Sequence, residues 1–147
     1  MATRRLNILV VDDDATTIRV VSKYLLSEFG DRIALQSFTD SLEAKQWLEQ
    51  RSCDIVISDI EMPNLNGLEL LTYAKSHNAW TQVVFMTAHT SWERISEAIE
   101  HGASDYLVKP IDRLDLITVV AQELRRIERW QNAVLNTLRL SDPLEVG

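Results

Sequence analysis

Three consecutive β-branched residues, Ile55-Val56-Ile57, lie inside a run from Cys53 to Ser58 that shows no polar–apolar alternation. A strand with apolar side chains on both faces must be covered on both, as happens in a parallel sheet between two layers of helices. The run stops at Asp59, and Pro63 and Gly67 punctuate a loop before the next helical pattern. A carboxylate therefore stands where a buried strand emerges from its sheet. In open α/β sheets, the edge outside the carboxyl ends of the strands is where ligands bind. An isolated aspartate there reads equally well as a turn former, so the remaining strand ends decide its meaning.

The chain yields five strands, the second of them short and alternating (Ile33, Leu35). Leu6-Asn7-Ile8-Leu9-Val10-Val11 runs into Asp12-Asp13-Asp14. Asp14 can cap a helix whose positions Ile18, Val21, Leu25 and Phe29 share one face, with Gly30 as its stop. A second strand covers 33–38, and Asp40 or Ser41 caps a helix expected to bury Leu42, Trp47 and Leu48. The run 53–58 is the third strand, and a helix over about 68–76 should bury Leu71 and Ala74. Gln82-Val83-Val84-Phe85-Met86 is the fourth strand and ends at Thr87. Thr90-Ser91-Trp92-Glu93 has capping-box spacing, opening a helix with Ile95, Ala98 and Ile99 on its inner side before Gly102. Residues 105–108 form the fifth strand and lead to Lys109-Pro110, whose peptide bond can be cis or trans. The last helix begins at Asp112 and need not stop before about Leu140. Strands alternating with helices predict a doubly wound α/β fold with a five-stranded parallel sheet.

Four strand ends then share one rim: Asp12-Asp13, Asp59, Thr87 and Lys109. In strand order 2-1-3-4-5 the winding reverses between strands one and three, which makes the two acidic sites neighbours. Two carboxylates about 4 Å apart repel by roughly 4 kcal/mol at an effective dielectric near 20. A hard divalent cation with oxygen ligands relieves this, and Mg²⁺ uses one or two carboxylates with waters and a phosphate oxygen. A carboxylate can also attack phosphorus to form an aspartyl phosphate, a transfer governed by positioning and charge neutralisation. Lys109 offers a compact ammonium for that task, and Thr87 a short hydroxyl. Taken singly, each residue reads as a capping acid, a loop threonine or a solvated lysine; together they point to phosphoryl chemistry.

These residues carry a resemblance. Val10-Val11-Asp12-Asp13, Ile57-Ser58-Asp59-Ile60-Glu61-Met62-Pro63 with Gly67, Met86-Thr87-Ala88, and Gly102-Ala103-Ser104-Asp105-Tyr106-Leu107-Val108-Lys109-Pro110 resemble a receiver domain of a two-component response regulator, across about residues 5 to 125. The resemblance implies a flavodoxin-like receiver fold and a phosphorelay role, with a sensor histidine kinase or phosphotransfer protein as partner. It implies Asp59 as phosphoacceptor, and Mg²⁺ held by Asp13, Asp59 and the main-chain carbonyl of Glu61, with Asp12 acting largely through water. Lys109, Thr87 and the Ala88 amide would hold the phosphoryl group. Tyr106 would be an aromatic switch that turns inward as Thr87 moves toward the phosphate, changing the surface of the fourth helix, fifth strand and fifth helix; alone it reads as a half-buried strand aromatic. Glu61 and His89 lie at positions variable in the family. Glu61 is expected to repel small phosphodonors or hydrolytic water and so tune phosphorylation lifetime, whereas His89 reads as an exposed loop residue.

The expected domains are a receiver over 1–126, a helical extension over 127–140 and a flexible tail over 141–147, read as a terminus or the start of a linker. Ile117, Val120, Leu124, Ile127, Gln131, Val134 and Leu138 alternate in steps of three and four, a heptad seam with Gln131 its polar break and Trp130 beside it. The first positions also serve core packing. Beyond the core the seam either frays, because short isolated helices are marginal in water, or pairs in a parallel coiled coil that makes a homodimer. The chain reads as a stand-alone regulator or the front of a longer protein, since no helix-turn-helix follows the receiver pattern.

A formal charge of −7 opposes direct binding to nucleic acid or an anionic membrane. Arg125, Arg126 and Arg129 share their helix with Glu123 and Glu128, the composition of a solvated face. The single cysteine, the absence of a signal-peptide core and the lack of an apolar run near the roughly 20 residues of a membrane span fit a cytoplasmic protein. Three rival functions remain. Asp12-x-Asp14-x-Thr16 fits the nucleophile motif of haloacid dehalogenase-like phosphatases, with Asp12 as nucleophile and Asp14 as general acid; that reading leaves Asp59 without a role and lacks a later acidic strand pair. A nucleotide or flavin module would need phosphate to approach three aspartates. A receiver fold working without phosphate is disfavoured because every acceptor-site residue is present. The expectation is thus a signalling protein rather than a turnover enzyme.

Overall fold

The computed structural model describes residues 5–88 and 91–140. Its elements follow in order: β1 (Leu6–Val11), α1 (Ala15–Phe29), a 3₁₀ turn (Gly30–Arg32), β2 (Ile33–Phe38), α2 (Ser41–Glu49), β3 (Ile55–Asp59), α3 (Gly67–His77), β4 (Gln82–Thr87), α4 (Trp92–Glu100), β5 (Asp105–Val108) and α5 (Arg113–Leu140). The strands form one parallel sheet in the order β2-β1-β3-β4-β5.

The pleat explains why the central strands lack alternation. Ile8, Val10, Ile55, Ile57, Val84, Met86 and Leu107 point to the side covered by α1 and α5, where they meet Ile18, Val21, Leu25, Leu116, Val120 and Leu124. Their neighbours Leu9, Val11, Val56, Val83 and Phe85 point to the opposite side and pack with Ala44, Leu48, Leu70, Leu71, Ala74 and Ala98 of α2, α3 and α4. Each central strand therefore contributes to two cores.

Caps set several helix starts. Asp14, Asp40 and Ser91 accept from the Thr16, Leu42 and Arg94 amides, and Asn66 with Glu69 forms a reciprocal box at the start of α3. Ser91 caps α4; His89 and Thr90 lie outside the described residues. At the start of α5 the Asp112 carboxylate accepts from the Asp115 amide.

Four expectations change. β3 begins at Ile55 rather than Cys53 and includes Asp59, because the Asp54 carboxylate turns back to accept from the Asn7 amide at 2.7 Å. Leu42 is 44% exposed, since α2 faces the sheet with Ser41, Ala44 and Leu48. Ile99 is 67% exposed because only Ala98 of the short α4 is fully covered. Glu123 is buried rather than solvated, and its Oε2 has no hydrogen-bond partner among the described residues. Arg126 lies 3.5 Å from it, too long for a hydrogen bond.

α5 runs unbroken to Leu140. Val120, Leu124 and Ile127 are buried, and the seam then emerges into solvent through Val134 and Leu138. Trp130 packs edge-on to Trp80, in the turn before β4, with ring centroids 6.4 Å apart. The tail over 141–147 lies outside the described residues. Among the described residues, no helix is long and apolar enough to cross a membrane.

Candidate functional site

Strand register builds the rim. Val11 pairs with Ser58, Asp59 with Met86, and Thr87 with Val108. The residue after β1 is thus carried beside the last residue of β3, and Lys109 follows directly beside Thr87. The backbone continues this alignment past the strands: the Asp12 amide donates to the Phe38 carbonyl at 3.3 Å and the Lys109 amide to the Thr87 carbonyl at 2.9 Å. The Lys109–Pro110 peptide bond is cis.

The Lys109 ammonium bridges the two acidic strands. Its Nζ lies 3.0 Å from Asp59 Oδ2, as a hydrogen bond, and 2.7 Å from Asp12 Oδ2, a close ion pair out of line for a hydrogen bond. Burial alone would lower the Lys109 pKa, but Asp12 and Asp59 outweigh it and hold the ammonium more firmly protonated than a free lysine. Burial pushes the Asp12 carboxyl above the usual carboxylate range, and Lys109 and the Asp14 amide offset part of that rise. The Asp14 amide donates to Asp12 Oδ1 at 2.9 Å and the Glu61 amide to Asp59 Oδ1 at 3.2 Å. Asp12 is wholly buried, Asp59 nearly so, and Asp13 stands exposed at the mouth.

Carboxylate oxygens of Asp12, Asp13 and Asp59 lie within 4.8 Å of one another. A set of hard oxygen donors this close suits Mg²⁺. Thr87 is buried at the end of β4, and Ala88 is exposed beside it. Tyr106 lies half-buried against the α2–α4 side of the core, its hydroxyl sharing a hydrogen bond with the Thr87 side chain. Burial raises the phenol pKa above its ordinary value, so the hydroxyl stays protonated.

Gly67 permits the approach of α3 to this rim. A Cβ there would collide with the Asp59 carbonyl oxygen and lie 2.8 Å from Ile60 Cα, while the Gly67 amide donates to the Ile60 carbonyl at 2.8 Å.

The rim also gathers a residue that sequence reasoning missed. Arg94, on the first turn of α4, pairs through Nη2 with Glu61 Oε1 and through Nη1 with Glu97 Oε2 at 3.4 Å. The Glu61 side chain therefore has a cationic partner. The link to Glu97 has helical spacing and was readable; the link to Glu61 joins separate elements and leaves no local signal.

The phosphatase reading fits this geometry poorly. Asp12, its nucleophile, is buried with one oxygen taken by the Asp14 amide. Asp14, its general acid, is the N-cap of α1, and the Thr16 amide holds its carboxyl below the usual range, in the ionised form.

Residues 8–121 match the family model described as the response regulator receiver domain. The chain is 33% identical over 137 residues to the transcriptional regulatory protein ZraR of Klebsiella oxytoca, an alignment covering 93% of this chain and 30% of ZraR. It is 31% identical over 122 residues to the DNA-binding transcriptional regulator NtrC of Escherichia coli, covering 83% of this chain and 25% of NtrC. The chain thus spans under a third of the length of either relative. Among solved structures, the signal receiver domain of a putative Luxo repressor protein from Vibrio parahaemolyticus superposes with a TM-score of 0.81 at 26% identity, covering 88% of this chain and 98% of that one.

Proposed function

The chain belongs to the response regulator receiver domain family, and from that premise we propose that it takes a phosphoryl group onto Asp59 from a phosphohistidine of a sensor histidine kinase or phosphotransfer protein. One observation carries the reading: a single ammonium, Lys109 Nζ, lies within 3.0 Å of the Asp59 carboxylate and 2.7 Å of the Asp12 carboxylate, with the Thr87 hydroxyl at the adjoining strand end. An Asp59 oxygen attacks phosphorus, the phosphorus–nitrogen bond breaks, and its electron pair leaves with the imidazole. Charge accumulates on the three equatorial oxygens. Lys109 and Thr87, with the Ala88 amide, meet these oxygens. Asp13, Asp59 and the Glu61 main-chain carbonyl would hold Mg²⁺, with Asp12 acting through water; the ion would supply the remaining charge neutralisation.

The chemistry is stoichiometric self-modification, as befits a signalling domain, rather than turnover on an external substrate. Tyr106 acts as the readout. Its bond to Thr87 ties the ring's position to the residue that meets the phosphate, so that phosphorylation biases the surface of α4, β5 and α5. The extension of α5 supports dimerisation, because a continuous helix carries its apolar seam past the core into solvent at Val134 and Leu138. The soluble cytoplasm, where such kinases present their phosphohistidine, is the setting this function requires.

Incubation with a phosphorylated kinase domain or acetyl phosphate, with and without Mg²⁺, tests the assignment. One acid-stable, hydroxylamine-labile phosphoryl group per chain is expected, absent without Mg²⁺ and in Asp59→Asn. Labelling that survives Asp59→Asn, or steady release of phosphate from an aryl ester, would refute it.

A further inference from the structure

Glu61 places a carboxylate two residues beyond the acceptor, on a rim already crowded by Asp12, Asp13 and Asp59. Its amide donates to Asp59 Oδ1 while its side chain reaches across to α4 and ends on the Arg94 guanidinium. Arg94 is itself held: its amide donates to the Ser91 cap at 3.2 Å, and its second terminal nitrogen leans on Glu97. The charges of Arg94, Asp59 and Glu61 all act on the Tyr106 hydroxyl, so the four side chains share one electrostatic neighbourhood.

We infer that Arg94 is a positioning residue for the acceptor site: it neutralises Glu61 and holds that carboxylate toward α4, keeping the approach to Asp59 open to anionic phosphodonors. On this reading the Glu61 charge, expected to repel small phosphodonors or hydrolytic water, is masked while its pair with Arg94 holds. Glu61 becomes a barrier only when Arg94 lets go, so any movement of α4 that separates the pair slows the next phosphorylation. A partner protein that docks on α4 and draws Arg94 onto its own acidic group would do the same.

This role presupposes the acceptor site proposed above, and the experiment separates the two. Initial rates of Asp59 phosphorylation by acetyl phosphate and Mg²⁺ are measured for the wild type, Arg94→Ala, Arg94→Lys, Glu61→Gln and the Glu61→Gln/Arg94→Ala double variant, at low and at 1 M salt. Glu61→Gln leaves the main-chain carbonyl proposed for the metal in place. Arg94→Ala should slow phosphorylation about fivefold at low salt, the scale of one unpaired charge acting on a dianion across a water-like dielectric. Arg94→Lys should keep at least about half the wild-type rate, since a surface pair depends on charge more than on fork geometry. Removing Arg94 from the Glu61→Gln background should slow the rate clearly less than in the wild type, because only the guanidinium's own attraction for the donor is lost and no carboxylate is released toward Asp59. At 1 M salt, where the screening length is about 3 Å, the Arg94→Ala deficit should shrink toward unity. Equal slowing in both backgrounds, a deficit insensitive to salt, or an unchanged Arg94→Ala rate would each overturn the inference. A wild type that takes no phosphoryl group would instead sink the acceptor reading itself.

Discussion

Gly67→Ala adds a single methyl group at the place where α3 meets the end of β3. Gly67 is the first residue of α3, and its φ is not positive, so alanine meets no dihedral penalty. The obstacle is contact: the new Cβ would run into the Asp59 carbonyl oxygen, lie 2.8 Å from Ile60 Cα and press on Phe85 Cε1 at 3.0 Å. Two of these three atoms are main chain in or beside a buried strand, so no rotamer change relieves them. α3 must back away from the sheet, loosening the Gly67–Ile60 hydrogen bond and the contacts of Leu68, Leu70 and Leu71. Overpacking of this kind costs about 1–3 kcal/mol, and a clash with backbone belongs at the upper end. Replacing glycine restricts the unfolded chain and returns about 0.4–1 kcal/mol, leaving a net loss near 2 kcal/mol. For a chain of this size that lowers Tm by roughly 4–8 °C, measurable by thermal circular dichroism. Because the displaced carbonyl belongs to Asp59, the proposed acceptor, phosphorylation should fall too, by up to about 100-fold for a misplacement near 1 Å. Asn66→Ala serves as the control. It removes the cap from the same turn at a cost of about 1 kcal/mol but touches no acceptor atom, so phosphorylation should persist. A Gly67→Ala protein as stable and as readily phosphorylated as the wild type would refute the close-approach reasoning.

Further outcomes follow from the same geometry. Lys109→Met leaves Asp12 and Asp59 facing each other without their shared cation, and should abolish phosphorylation while costing about 3 kcal/mol at neutral pH, read by urea unfolding. Burial raises the Glu123 carboxyl pKa above its ordinary 4.5, with Asp105 adding to the rise and Arg126 and Lys75 opposing it. The folded state then binds more protons than the unfolded one above that value, so stability falls as pH climbs through the raised pKa. Glu123→Gln should therefore gain on the wild type between pH 4 and 8 in paired thermal melts; a constant difference would exclude the effect. Cys53 is buried and its thiol pKa is pushed up to about 12, chiefly by burial; it should resist a thiol reagent at pH 8 in the native protein and react once urea unfolds it. Leu138→Glu should abolish any dimer seen by light scattering with beryllofluoride and Mg²⁺ without lowering Tm, because Leu138 touches solvent rather than core.

The sheet was legible in the linear text because burial on both faces demands unbroken apolar runs, and Ile55-Val56-Ile57 or Val83-Val84-Phe85 can satisfy that demand in few other ways. The proposed acceptor rim was legible for the same reason: wherever such a run halts, the next side chain must lie at the sheet's edge, so Asp12, Asp59, Thr87 and Lys109 were placed together by counting strands. What the chain order could not supply was which helical face turns inward and which distant charges touch. Glu123 looks like one more solvated acid until α5 lies across β5 and closes over it. Arg94 meets Glu61, and Gly67 slides under the Asp59 carbonyl, only once helices and sheet settle at their packed distance. These relations join residues on separate elements, whose spacing follows from the packing of whole layers; no local pattern encodes it, and tertiary structure alone decided it.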